Sequence, residues 1–483
     1  MAPQSHSPRD REAFFAALPA PWPSQDLASH IAQAVQASRR KVVVLDDDPT
    51  GTQTVHGIAV LATWTVADLA QALAEPGPAF FILTNSRSLP GAEAVALNQE
   101  IAHHLAAAAR ATGQEFVVVS RSDSTLRGHY PAEVDALAST LEEELGFRYE
   151  GIVLAPFFLE GGRFTVEDVH WVLQGAQMVP AADTEFARDP AFGYRESNLR
   201  CWVEEKTAGR IRADAVLSIP LTTLRAEGPA GVQRVLRLAR GRAPIVVNAA
   251  SYADLEVFVA GLLAAEKAGQ RFLYRTAASF VRVRSAIPPR GLLASEELFG
   301  PYATRAPGLV LVGSHVERST LQWEALLQLE RLQGLELSVP RVLAADTRGP
   351  ALQALADDSA AALAAGSDVV IATSREVIAG RGPEDKLAIG RIVSEAMCEL
   401  LRQILGRVRP GFIIAKGGIT SSDLATRGLA MRRALVLGQI QPGVPVWRAG
   451  PESLLPGLPY VVFPGNVGTP DTLRQIVEML RKR

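Results

Sequence analysis

The sequence predicts an α/β fold: two α/β domains with mainly parallel, helix-flanked sheets and a ligand cleft between them. Three observations carry this. Short, uniformly apolar, β-branched runs recur along the chain. Longer Ala- and Leu-rich stretches separate them. The alternation breaks once, at a stretch rich in Pro and Gly, and then starts again. Uniformly apolar strands are those buried on both faces, as in a parallel sheet covered by helices. Strand–helix alternation is the pattern of α/β chains.

In order, the strand-like runs are KVVVLD (41–46), GIAVLA (57–62), AFFILT (79–84), FVVVS (116–120), GIVLAP (151–156), AVLSIP (215–220), PIVVN (244–248) and FLYRT (272–276). After the break come GLVLVG (308–313), DVVIAT (368–373), FIIAK (412–416) and YVVF (460–463). Between them, AEAVALNQEIAHHLAAAARATG (92–113) and LQWEALLQLERLQG (321–334) read as helices. Residues 156–210 lack a regular pattern and read as loops and short helices covering the first sheet. The predicted divisions are a helical extension over 1–38, a first domain over 39–290, a linker over 291–307 and a second domain over 308–483.

A chain of 483 residues suits two large domains. Lys plus Arg is 49 and Asp plus Glu is 51, a net charge of −2, which argues against a nucleic-acid-binding surface. With 48% hydrophobic and 21% charged residues, wholesale disorder is excluded. Two cysteines, Cys201 and Cys398, build neither a disulfide framework nor a zinc site by themselves. The N-terminus lacks the apolar core of a signal peptide, and no apolar run approaches the ~18 residues of a membrane span. The expectation is a cytoplasmic protein without nucleic-acid or membrane partners; a homodimer is left open. No GxxxxGK[ST] occurs, no GxGxxG follows the first strand, and no HExxH or paired CxxC appears.

In open α/β sheets ligands bind beyond the carboxyl ends of the strands, so the residues that follow each run matter. KVVVL leads into Asp46-Asp47-Asp48-Pro49-Thr50-Gly51, FFIL into Thr84-Asn85-Ser86-Arg87, and FVVV into Ser120-Arg121-Ser122-Asp123-Ser124-Thr125-Leu126-Arg127. Asp, Ser and Thr at any one such place would be ordinary helix caps and turns. Three strand ends with acids, hydroxyls and arginines together point to a polar pocket. Arginines suit a carboxylate by bidentate pairing, and acids suit hydroxyls, one of them as a base: a small hydroxy acid. In the second half the runs lead into Gly313-Ser314, Gly417-Gly418-Ile419-Thr420 and Gly465-Asn466-Val467-Gly468-Thr469-Pro470. Glycines let backbone N–H groups approach phosphate oxygens. Thr469 followed by Pro470 reads as an N-cap and first helical position.

At DDDPTG, TNSRS, SDSTLRG, APFFLEGGR, TEFARDP, KGGITSSDLA and GNVGTPDTL, in that order from about residue 41 to 473, the sequence resembles the four-carbon acid sugar kinases, which include 3-oxo-tetronate, threonate and erythronate kinases. The resemblance implies an acid-sugar-binding domain followed by an ATP-binding domain. The implied activity is ATP-dependent phosphorylation of the terminal hydroxyl of a four-carbon sugar acid, with Mg²⁺ as cofactor. It implies substrate contacts at Asp47, Asp48, Arg87, Arg121, Ser122, Asp123, Ser124 and Arg127. Nucleotide contacts are implied at Ser314, Gly417, Gly418, Ile419, Thr420, Gly465, Asn466, Val467 and Gly468. The candidate catalytic acids are Asp47, Asp48 and Asp123, with the first two favoured; no metal ligand is singled out. Three residues depart from the family pattern: Pro49 replaces an aromatic or aliphatic residue, Arg121 a lysine and Ile419 an acid. These departures bear on the substrate rather than the reaction class. The alternatives are a Rossmann-type hydroxy-acid dehydrogenase, which lacks its dinucleotide fingerprint here, and a non-catalytic sugar-acid-binding protein, which would not need the glycine turns.

Overall fold

The computed structural model describes residues 7–23, 26–299, 306–314, 316–375, 383–465 and 467–482, with 383–387 as backbone only. In chain order the strands are β1 (Arg9–Asp10), β2 (Lys41–Asp46), β3 (Ile58–Leu61), β4 (Ala79–Leu83), β5 (Phe116–Arg121), β6 (Gly151–Ala155), β7 (Arg163–Val166), β8 (Val169–Gln174), β9 (Gln177–Pro180), β10 (Leu217–Ile219), β11 (Ala243–Val247), β12 (Phe272–Thr276), β13 (Leu309–Val312), β14 (Leu332–Leu337), β15 (Asp368–Thr373), β16 (Ile413–Lys416), β17 (Arg433–Gln441), β18 (Val444–Ala449) and β19 (Pro459–Phe463). The chain divides into two compact units: Met1–Asp47 with Trp64–Pro288, and Asp48–Thr63 with Pro289–Arg483.

The first unit is built on an all-parallel sheet in the order β10-β11-β6-β12-β5-β2-β4. Its strands are apolar along their length because helices cover both faces. Val42, Val43, Val44, Phe81, Val119, Val153, Ile245 and Leu273 are all buried. The helix Gly91–Thr112 ends at Gly113, whose positive φ of 68° closes the last turn. Because β2 is followed by β4 on one side and β5 on the other, the strand order reverses at β2.

The second unit has the order β3-β17-β18-β19-β16-β13-β15-β14. Pairing is parallel from β19 to β14 and antiparallel from β3 to β19. Val310, Val370, Ile414, Val461, Leu473 and Ile476 share one core cluster. The chain runs from β13 outward to β14 and back through β15, then continues on the other side with β16, so the order reverses between β13 and β16.

Five details correct the sequence-based expectations. Residues 48–63 were expected inside a continuous first domain; they pack with the second unit, because β3 pairs antiparallel with β17. The stretch 291–307 was expected to be a linker. Leu293, Leu298 and Phe299 instead bury into the second core, and Leu293 N–H donates to the Gln439 carbonyl at 2.8 Å. Residues 163–180, read as loops, form an antiparallel sheet of β7, β8 and β9. The extension over 1–38 contributes β1 to that sheet as well as helices Arg11–Ala16 and Leu27–Ser38. The helix expected over 321–334 spans Glu317–Leu326, and its tail is the start of β14. Strands of mixed polar and apolar residues carry little of the uniform apolar signal of buried parallel strands, and for that reason the edge strand β14 and the antiparallel strands β17 and β18 were not foreseen.

Candidate functional site

The two reversals of strand order each gather a polar cluster at the carboxyl ends of parallel strands, the place where open α/β sheets bind ligands.

In the first unit the cluster starts from β2. Its last residue, Asp46, and the next, Asp47, are buried. Arg121, at the end of β5, reaches Asp46 Oδ1 at 3.0 Å and Asp47 Oδ1 at 3.7 Å. Ser122 Oγ donates to Asp47 Oδ2 at 2.5 Å. After β4, Asn85 adopts φ 51°, a conformation Asn tolerates, and the turn brings Arg87 between two acids. Its guanidinium lies 3.4 Å from Asp47 Oδ1 and 3.5 Å from Asp123 Oδ1. Asp47 Oδ1 is buried and accepts no hydrogen bond from any described residue.

Asp123 is held differently. Arg127 Nε donates to its Oδ2 at 2.7 Å and Thr125 Oγ1 donates to the same atom. Burial works against the charged carboxyl, but the guanidiniums of Arg127 and Arg87 and these hydrogen bonds outweigh it and hold its pKa far below the usual range. Arg127 also approaches Asp189 at 3.6 Å and lies over the Phe186 ring. Gly128 makes this packing feasible. Its φ is +120°, and a Cβ there would stand 2.8 Å from Ser122 Oγ and 3.3 Å from Asp47 Oδ2. Ser124 is buried, and its carbonyl accepts from His170 Nε2 at 2.7 Å.

Three members of this cluster were not singled out from the sequence. Arg275, near the end of β12, is buried, donates to the Arg127 carbonyl at 3.1 Å and feels Asp47, Glu133 and Asp123. Glu133 is buried, accepts from Ser86 Oγ, and its pKa is raised by burial and by the Asp47 charge. Asp189 is the third. The signal for Arg275 was present: a basic residue near the end of a buried apolar run, FLYRT. Asp189 lies inside TEFARDP but looks like any turn acid.

The second unit gathers Ser314, Gly417, Thr420 and Gly465 at the ends of β13, β16 and β19. Gly313 N–H donates to the Lys416 carbonyl at 3.1 Å, and Gly417 N–H to the Phe463 carbonyl at 2.8 Å. A Cβ on Gly313 would stand 2.1 Å from Thr420 Oγ1, and one on Gly465 would stand 2.7 Å from Ser314 Oγ. The glycines thus let two hydroxyls close in. Gly418 faces Asp48: a Cβ there would lie 2.6 Å from Asp48 Oδ2. Ile419 is half exposed. Val467 approaches Gly443, and Gly468, with φ +83°, approaches Thr472. Asn466 lies outside the described residues. The helix expected to open at Thr469-Pro470 begins at Thr472, whose Oγ1 accepts from Thr469 N–H at 2.8 Å.

Two expected site residues have definite partners of their own. Asp48 was grouped with the sugar-acid contacts; it packs with the second unit, where it caps the turn Pro49–Thr54 by accepting from Thr50 N–H at 2.8 Å. Asp123, a candidate base, accepts from Arg127 and Thr125, and the guanidiniums of Arg127 and Arg87 favour its charged form.

Two family profiles match the chain. A sugar-binding N-terminal domain covers residues 42–284, and a nucleotide-binding C-terminal domain covers 309–473. This chain is a member of the four-carbon acid sugar kinase family. Solved structures share the fold of this chain. A Salmonella typhimurium LT2 protein, provisionally called a tRNA synthase, aligns with TM-score 0.64 at 19% identity, covering 92% of this chain and 99% of its own. A Haemophilus influenzae protein assigned to a domain of unknown function, DUF1537, aligns with TM-score 0.61 at 17% identity, covering 91% and 100%. No curated protein sequence gives a significant match. Among the described residues no helix is long and apolar enough to cross a membrane.

Proposed function

We propose that the protein is an ATP-dependent kinase that phosphorylates the terminal (C4) hydroxyl of a four-carbon sugar acid of the threonate, erythronate or 3-oxo-tetronate type. The observation that carries the reading is Asp47: a buried carboxylate with one oxygen accepting no hydrogen bond, set among Arg87, Arg121 and Arg275. Arginines recognise a substrate carboxylate, and the open oxygen of Asp47 accepts the proton of the attacking hydroxyl. Arg87, whose guanidinium stands 3.4 Å from Asp47 and 3.5 Å from Asp123 at the end of β4, is the one that takes the carboxylate.

The reaction breaks the bond between the γ-phosphorus and its bridging oxygen and forms a bond from that phosphorus to the sugar-acid oxygen, releasing ADP. The hydroxyl proton passes to Asp47 and on to solvent. Catalysis of this kind is mostly positioning and charge stabilisation. In this reading Ser314, the helix start at Gly417–Thr420 and the glycines Gly465 and Gly468 hold ATP, and the half-exposed Val316 and Ile419 offer the adenine apolar surface. Among the described residues no three potential ligands gather into a metal site. Mg²⁺ needs only one or two carboxylates beside phosphate oxygens, and Asp48, next to the Gly418 turn, supplies a hard oxygen donor. The ion would neutralise phosphate charge. Such a kinase works in the cytoplasm on small molecules.

The test is a coupled ATPase screen of four-carbon sugar acids with the purified protein. Turnover with one of them supports the reading. No turnover with any, alongside stabilisation by NAD in a thermal-shift assay, would favour the dehydrogenase alternative.

A further inference from the structure

Lys416 is the last residue of β16 and is fully buried. Its strand neighbours are Val312 on β13 and Phe463 on β19. The ammonium lies 3.8 Å from the Phe463 ring centroid and donates to the Pro464 carbonyl at 2.9 Å, with the Gly465 carbonyl at 3.5 Å. The side chain thus runs from the root of one glycine turn to the root of another. From the opposite side, Ser319 Oγ donates to the Gly465 carbonyl at 3.0 Å, and Gln322 Nε2 to the Val467 and Thr469 carbonyls at 3.0 and 2.7 Å.

Among the described residues Lys416 has no counter-charge: no carboxylate pairs with it. Neither strand neighbour is titratable, and the charged group that bears on it is Arg318, of its own sign, on the helix Glu317–Leu326. Burying an ammonium without an opposite charge is costly. Its ties to two carbonyls engage its N–H groups but do not balance its charge.

We propose that Lys416 is a positioning residue of the nucleotide site: it ties the start of the helix Gly418–Asp423 to Pro464 and Gly465 and supplies a buried positive charge that the phosphates of a bound nucleotide balance. This rests on reading the second unit as the one that holds ATP. Burial, with a smaller push from Arg318, lowers the lysine pKa to about 7. The ammonium is therefore lost as pH rises through neutrality, whereas a bound phosphate favours it. Nucleotide binding takes up a proton, and affinity falls as pH rises above 7.

The experiment is calorimetric titration of Mg-ADP into the full-length protein at pH 6.5, 7 and 9, for the parent, K416M and K416Q. Expected for the parent is an affinity at least about fivefold weaker at pH 9 than at pH 7. Both variants should bind at least about tenfold more weakly than the parent at pH 6.5, with affinities that do not change with pH. K416Q keeps a donor for the Pro464 carbonyl, so it separates the charge from the tie. Thermal melting at or above the parent's temperature shows that the variants fold. If either folded variant binds within twofold of the parent at pH 6.5, or if the parent's affinity is flat from pH 7 to 9, the proposal is overturned. A parent that binds no Mg-ADP at any pH removes the ATP reading itself, and this inference with it, which is a different result.

Discussion

Asp47 and Asp48 are chain neighbours that serve different clusters. Asp47 receives a hydrogen bond from Ser122 in the first unit, and Asp48 stands against Gly418 in the second. The cause is local. Asp48 has extended backbone angles, φ −154° and ψ 136°, and extended residues send successive side chains to opposite faces.

Gly418→Ala tests the Asp48 contact. The added methyl would overlap Asp48 Oδ2, so the carboxylate must move while the Thr50 cap loosens. Binding of ADP with Mg²⁺ should weaken at least about fivefold, and binding of ADP without the metal should change less. Equal losses with and without Mg²⁺ would show that the methyl disturbs the turn rather than the carboxylate.

Asp47→Asn keeps the size of the side chain and its contact with Ser122 but removes the proton acceptor. The expected result is a kcat at least about a hundredfold lower while both ligands still bind. Asp123→Asn should act mainly on KM for the sugar acid, because Arg127 and Arg87 would lose one of the charges that hold them in place. Steady-state kinetics of the two variants separates the roles. A kcat within a few-fold of the parent for Asp47→Asn would remove carboxylate base catalysis at this residue.

Arg87→Ala should weaken sugar-acid binding by about 1.5–3 kcal/mol if a charged hydrogen bond is lost. ATP affinity should hardly change, since Arg87 contacts Asp47 and Asp123 in the first unit. Calorimetry with each ligand alone is the check, and equal losses for both would mark Arg87 as structural.

His170 gives a pH dependence of stability. It is fully buried between Thr165 Oγ1 and the Ser124 carbonyl, and burial pushes its pKa down to about 4. An unfolded histidine titrates near 6.5. The neutral ring therefore favours the fold above pH ~6.5, and this contribution, on the order of 3 kcal/mol, is lost as pH falls from ~6.5 towards 4. Melting temperatures should fall across that window. His170→Gln should melt lower at pH 7 and show a shallower decline; an unchanged decline would place the acid sensitivity elsewhere.

The apolar runs determined the parallel sheets, because a strand buried on both faces must be apolar along its whole length, as KVVVLD and GLVLVG are. The polar residues just beyond those runs were legible for the same reason: Asp47, Arg87, Ser122, Ser314 and Gly417 follow strands whose direction the sequence already implied. Three things only the tertiary structure decided. One is that β3 crosses to the second unit and carries Asp48 with it, since antiparallel pairing with β17 joins residues far apart in the chain. Another is that Asp123 accepts hydrogen bonds from Arg127 and Thr125 while Asp47 Oδ1 accepts none from any described residue, although arginines stand near both acids, since hydrogen bonding depends on distances of a few tenths of an ångström. The third is that Arg275 and Lys416, each at the end of an unremarkable apolar run, are buried charges: whether a basic residue faces water or a closed cluster is fixed by what packs over it.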